Sequence, residues 1–118
     1  MSKPEIFRTP ILRTVTQRLA EEEFEDMVKF VIDLQRKIIC AGGGLHSDEE
    51  RLLLEEGSQQ EHLWGGNYYL NDTSDKRFEY TSMINLRPQQ GNKSQEIQSS
   101  EIRRQVGDLA AFFFESGI

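Results

Sequence analysis

The chain has 118 residues, of which 36% are hydrophobic and 29% charged, which gives enough length and apolar content for one globular domain with its own core. The formal net charge of −6 argues against broad binding to duplex nucleic acid or to an anionic membrane surface, though not against a local basic patch. No apolar run approaches the roughly 18 residues of a membrane span, and Met1-Ser2-Lys3-Pro4-Glu5 leads into no signal-peptide core; a cytoplasmic protein is expected.

Residues 1–12 are expected to be an N-terminal arm or short strand interrupted by Pro10. Thr14-Val15-Thr16-Gln17 has the spacing of a capping box, so a helix is expected from there to about Phe24, with Glu21, Glu22 and Glu23 on its solvated face. Met27–Asp33 and Lys37–Ala41 are rich in β-branched and apolar residues and are separated by a few polar ones, the pattern of a hairpin. Cys40, the one cysteine, lies in the second of these strands and reads as a small core residue. A catalytic thiol would need an activating base, for which His46 is the nearest candidate. Gly42-Gly43-Gly44 redirects the chain, but its spacing matches neither a dinucleotide-binding fingerprint nor a phosphate loop, and no cofactor is expected.

Ser47-Asp48-Glu49-Glu50 predicts a helix start, with Ser47 as cap and Glu50 reaching back. Gly57 suits the end of that helix. Leu63–Leu70 reads as a strand in which Gly65-Gly66 marks a bulge or a close approach, and Phe78–Leu86 as a further strand ended by Arg87-Pro88. Ser99 or Ser100 caps a last helix running to about Glu115. The expected fold is α+β over residues 1–118: a mostly antiparallel sheet of about four strands in two hairpins, with about three helices on one face.

Four groups of residues are candidates for function. The loop Arg87-Pro88-Gln89-Gln90-Gly91-Asn92-Lys93-Ser94 carries many donors after a strand end, and Arg103 and Arg104 add positive charge nearby. It is expected either to hold an anionic or polar ligand, phosphate included, or to bind itself together, with Arg87 paired to Glu55 or Glu56. His46 and His62 bracket the second helix, and with Asp48 they form a conceivable metal site, with Glu49 or Glu61 as base, although the helix length holds its ends well apart. Trp64 and Tyr69 could wall a ligand site or belong to the core. In the last helix, Ile102, Val106, Leu109 and Phe113 form a stripe that leaves Phe112 and Phe114 to either side, so these two are expected at a homodimer or partner interface.

Three motifs together resemble a family of small bacterial proteins, cyanobacterial ones among them, known only as a domain of unknown function. They are Gly43-Gly44-Leu45-His46-x-Asp48, Leu53-Leu54-Glu55-x-Gly57-Ser58-x-Gln60-x-x-Leu63-Trp64-Gly65 and Ser82-Met83-Ile84-Asn85-Leu86-Arg87-Pro88-x-Gln90-Gly91-Asn92-Lys93-Ser94. Ser47 and Leu86 stand where Ala and Ile are expected. The resemblance implies no activity, but it groups His46, Asp48, Gln60, Trp64, Arg87, Gln90, Asn92, Lys93 and Ser94 as one shared feature. The expectation is a binding or interaction protein rather than an enzyme. A metal-dependent hydrolase and a structural subunit of a larger assembly are the alternatives.

Overall fold

The computed structural model describes residues 3–117; the first two residues of the expected arm lie outside this range. The fold is α+β, with five strands in one antiparallel sheet and three α-helices. In chain order these are β1 (Glu5–Phe7), α1 (Arg13–Glu23), β2 (Met27–Asp33), β3 (Ile38–Ala41), α2 (His46–Glu55), β4 (Leu63–Tyr69), β5 (Phe78–Glu79) and α3 (Ser100–Glu115). The strand order is β1-β3-β2-β4-β5, so both expected hairpins are present and the N-terminal strand adds an edge.

Cross-strand register separates the two faces. Val28, Phe30 and Ile32 of β2 lie opposite Tyr68, Gly66 and Trp64 of β4, and pack with Leu19 and Ala20 of α1 and Val106, Ala110, Phe113 and Phe114 of α3. Val31, Cys40 and Leu63 face the other way and pack on Leu53 of α2, with Ile84 against them. The helices therefore cover both faces, not one as the sequence suggested. Every side chain of β3 is buried, which leaves no solvent face to hold polar residues. Cys40 is one of these, and burial raises the pKa of its thiol, so it stays protonated and inert.

Both expected capping boxes give way to tertiary contacts. α1 begins at Arg13, one residue before Thr14, and no side chain caps it. Its entry is fixed instead by Ile11, buried in the core with its N–H donated to Phe113 O at 2.7 Å. α2 begins at His46 rather than after Ser47, again without a side-chain cap. Glu49 turns inward, where its carboxylate accepts the Gly43 N–H at 3.0 Å and holds the glycine turn. The end of α2 follows the sequence reading: Gly57, at φ 109°, donates to Leu54 O and Ser58 N to Leu53 O, satisfying two of the last carbonyls. Ser99 caps α3 by accepting from Ile102 N.

The expected strand 78–86 stops at Glu79. Ser82 Oγ accepts the Ile84 N–H and turns the chain into a short 3-10 segment, Met83–Asn85. Gly65-Gly66 is a close approach without a bulge, since β4 stays in register with β2 through both residues. A Cβ on Gly66 would lie 2.5 Å from Glu79 O and 2.7 Å from Phe30 Cζ.

Candidate ligand-binding cleft

The side-chain donors of Arg87, Gln90 and Asn92 in the 87–94 loop are spent on the protein's own backbone. Arg87 is 8% exposed. Its two terminal nitrogens donate to Gln60 O and Leu63 O, and its guanidinium lies 4.2 Å from the centroid of the Trp64 ring. Neither Glu55 nor Glu56 pairs with it; Glu56 takes Arg8 and Arg36 instead. Asn92 is also buried. Its Nδ2 reaches Asn85 O, Ser94 O and Glu96 O, while its Oδ1 accepts from Gln98 N. Gln90 donates to Glu61 O, and Ser94 Oγ accepts from Glu96 N. The side chains of Gln60 and Lys93 stay exposed. Asn85 adds a reciprocal pair of bonds: its Oδ1 accepts Gly65 N–H and its Nδ2 donates to Gly65 O. The positive charge of the stretch is dispersed as well. Arg104 pairs with Glu101 and Asp108, and Arg103 lies over the Tyr80 ring.

The histidines do not meet. His46 opens α2, while His62 follows its far end, and Asp48 accepts from Arg51 at 3.4 Å. Among the described residues, no group of three or more His, Cys, Asp or Glu side chains could hold a metal ion. The helix is ten residues long, some 15 Å, and nothing folds its ends together. Of the two phenylalanines expected at an interface, Phe114 belongs to the core. It stacks on Tyr68 with centroids 4.6 Å apart and lies against Phe30, so this flank of α3 is covered by the sheet. Phe112 is 47% exposed. Trp64 is buried, and Tyr69 donates its hydroxyl to Glu79.

One cleft, of about 530 Å³, joins parts of the first and third sequence motifs. Its floor is the sheet face beyond the start of α2, where Lys29, Asn67 and Glu79 lie in a row across β2, β4 and β5. One wall is Leu45, His46 and Ser47 at the start of α2. The other is Thr81, Ser82, Met83 and Ile84, with Gln95 at the end. Leu45 and Met83 are 59% and 73% exposed and form apolar lips.

The polar atoms of this cleft are oriented by their neighbours. His46 Nε2 sits 2.8 Å from Gly66 O, so that nitrogen carries the proton and Nδ1 is left as an acceptor. Burial outweighs the opposing hydrogen bond to Gly66 O and lowers the His46 pKa to about 4, so the ring is neutral at ordinary pH. Asn67 is 8% exposed, and its Nδ2 donates to Glu79 Oε1 at 3.0 Å. That bond fixes the amide orientation and leaves Asn67 Oδ1 buried beside the His46 ring. Lys29, directly opposite Asn67 in the ladder, has no ion pair among the described residues; its ammonium lies 5.3 Å from the Phe24 ring centroid. At the start of α2 the N–H groups of Asp48 and Glu49 donate to Leu45 O, and no side chain caps the helix.

Comparison with known families assigns residues 5–112 to one described as a protein of unknown function, DUF5674. The chain belongs to the DUF5674 family. Comparison with curated proteins and with solved structures returns no significant match. Of the residues that line this cleft in the DUF5674 chain, sequence reasoning marked His46 as a site candidate but not Lys29, Ser82 or Gln95. The two-residue alternation of β2 was the available signal for Lys29, which shares a face with Val31 and lies opposite Asn67 of β4. No helix among the described residues of this DUF5674 member is long and apolar enough to cross a membrane.

Proposed function

We propose that this protein is a small binding protein whose ligand occupies the cleft between the start of α2 and residues 81–84. The observation that carries this reading is the cleft itself, with apolar lips at Leu45 and Met83 and, on its floor, the Lys29 cation, which has no ion pair among the described residues. The cleft volume falls within the roughly 300–1,000 Å³ of small-molecule sites, and its mixture of apolar lips with a few fixed polar groups is of the kind such sites use. This reading keeps the anionic or polar ligand class expected from the sequence, but moves it from the 87–94 loop to Lys29, His46 and Asn67.

The test is an NMR screen of ¹⁵N-labelled protein against a set of small polar fragments, anionic and neutral. Saturable shifts at Lys29, Ser47 and Asn67, weakened by Lys29→Met for the anionic members, support the reading. Fragments that shift only residues outside the cleft, or none that shift any, overturn it.

A further inference from the structure

The cleft sets one positive charge among apolar side chains, and the balance between them narrows the ligand. Lys29 is half-buried and forms no ion pair among the described residues. It shares its face of β2 with Val31, which packs on Leu53 of α2, so it points to the side of the sheet where the cleft opens. Its charge opposes protonation of both His46 and Glu49, which agrees with that placement. Neither residue answers it with a negative charge: His46 is neutral, and burial keeps Glu49 protonated. Glu79, an acid in the same row, stands two strands further on, about 10 Å across the sheet, and its Oε1 takes Asn67 and Tyr69.

The mouth of the cleft is apolar. Leu45 and Met83 are left 59% and 73% exposed on facing walls, with Ile84 in the same lining. Apolar surface gathered at a concave site is what the apolar part of a ligand covers.

These features separate the ligand classes. A neutral apolar molecule leaves Lys29 without a counter-charge. A phosphate monoester carries about −1.5 to −2 charges at neutral pH, more than one cation offsets, on a chain whose net charge is already −6. A bare small anion leaves both lips in water. A carboxylate on an alkyl chain brings one charge and an apolar body.

We propose that the ligand of this cleft is a small alkanoate, a single carboxylate on an apolar chain. This rests on the cleft being the binding site. In the bound arrangement the carboxylate lies on the Lys29 ammonium and the chain runs out between Leu45 and Met83.

The experiment titrates ¹⁵N-labelled protein with hexanoate, hexanamide, acetate and hexyl phosphate, and follows the amides of Lys29, Leu45, Ser47 and Met83. Hexanamide keeps the chain without the charge, acetate keeps the charge without the chain, and hexyl phosphate keeps the chain with a larger charge. Hexanoate is expected to give saturable shifts at these residues. Hexanamide and acetate are expected to bind about tenfold or more weakly, and hexyl phosphate no more tightly than hexanoate. Lys29→Met is expected to weaken hexanoate by about tenfold or more and leave hexanamide unchanged, a contrast that a loss of folding does not produce. Met83→Gln, at a side chain outside the core, is expected to weaken both. The ligand class is overturned, and the cleft stands, if hexanamide or acetate binds as tightly as hexanoate, if hexyl phosphate binds more tightly, or if either variant leaves hexanoate unaffected. The same holds if hexanoate fails while another polar fragment shifts these residues. If no compound shifts them, the cleft itself is overturned.

Discussion

Replacing Arg87 by alanine should cost about 3–5 kcal/mol of folding stability. The figure follows from three contacts that the side chain makes at once. Its two terminal nitrogens satisfy the carbonyls of Gln60 and Leu63, and hydrogen bonds from a charged donor contribute roughly 1.5–3 kcal/mol each. Its guanidinium lies on the buried Trp64 ring, worth about 0.5–2 kcal/mol more. These terms share one side chain and do not add fully, which sets the range at the lower part of their sum. Lysine should recover little, because one ammonium cannot reach both carbonyls with the planar fork of arginine. Urea unfolding followed by Trp64 fluorescence reads the loss directly. For a domain of this size it corresponds to a fall in Tm on the order of 10–20 °C. A loss under about 1 kcal/mol, with the variant still folded, would refute the assignment of Arg87 to the scaffold and return it to ligand binding.

Three further outcomes are expected. Burial holds the Glu49 carboxyl well above the ordinary range, so its protonated form suits the folded state; stability is fullest below the unfolded-state value near 4.5 and declines as pH rises through the folded-state value. Glu49→Gln should therefore melt higher than wild type at pH 8, with the gap closing below pH 4.5, and a gap independent of pH would count against this. His46 is shifted the other way: its contribution is present above pH 6.5 and lost as pH falls toward about 4, so the imidazole C–H resonances should titrate near pH 4, and a midpoint near 6.5 would contradict its burial. Gly66→Ala should cost about 2–3 kcal/mol by forcing β5 and Phe30 away from β4, measurable by urea unfolding; a neutral substitution would mean that the strands can part there without loss.

The sheet was legible because β2, β3 and β4 are runs of β-branched and aromatic residues with turn residues between them, and because Gly57 and Ser99 end and start helices by local chemistry. What local chemistry could not supply was the effect of contacts distant in sequence. Ile11 sets the start of α1 through Phe113, more than a hundred residues away, and Glu49 leaves the helix surface for Gly43. The segment 80–86 reads as a strand by composition, but Ser82 and Asn85 bond to backbone and turn it. The same bias bears on the expected site. Arg87, Asn92 and their neighbours are polar because they anchor a loop, and a donor count in the sequence does not distinguish an anchor from a binding group. Lys29 drew no notice because it lies in a mostly apolar strand, and only the register of β2 against β4 places it beside Asn67.

The outer edge of β4 has a consequence for behaviour at high concentration. β5 pairs with only Asn67 and Tyr68, which leaves the backbone of residues 63–65 facing away from β2 with no strand to meet it. An open edge of that kind invites a strand from another molecule. Here the Asn85 amide takes both groups of Gly65, and Arg87 takes the carbonyl of Leu63, so two side chains from one short segment stand in for the absent strand. Their removal would uncover an edge as well as loosen a loop. Variants at either position should lose solubility on standing at temperatures well below their unfolding midpoint, through the pairing of β4 edges between copies.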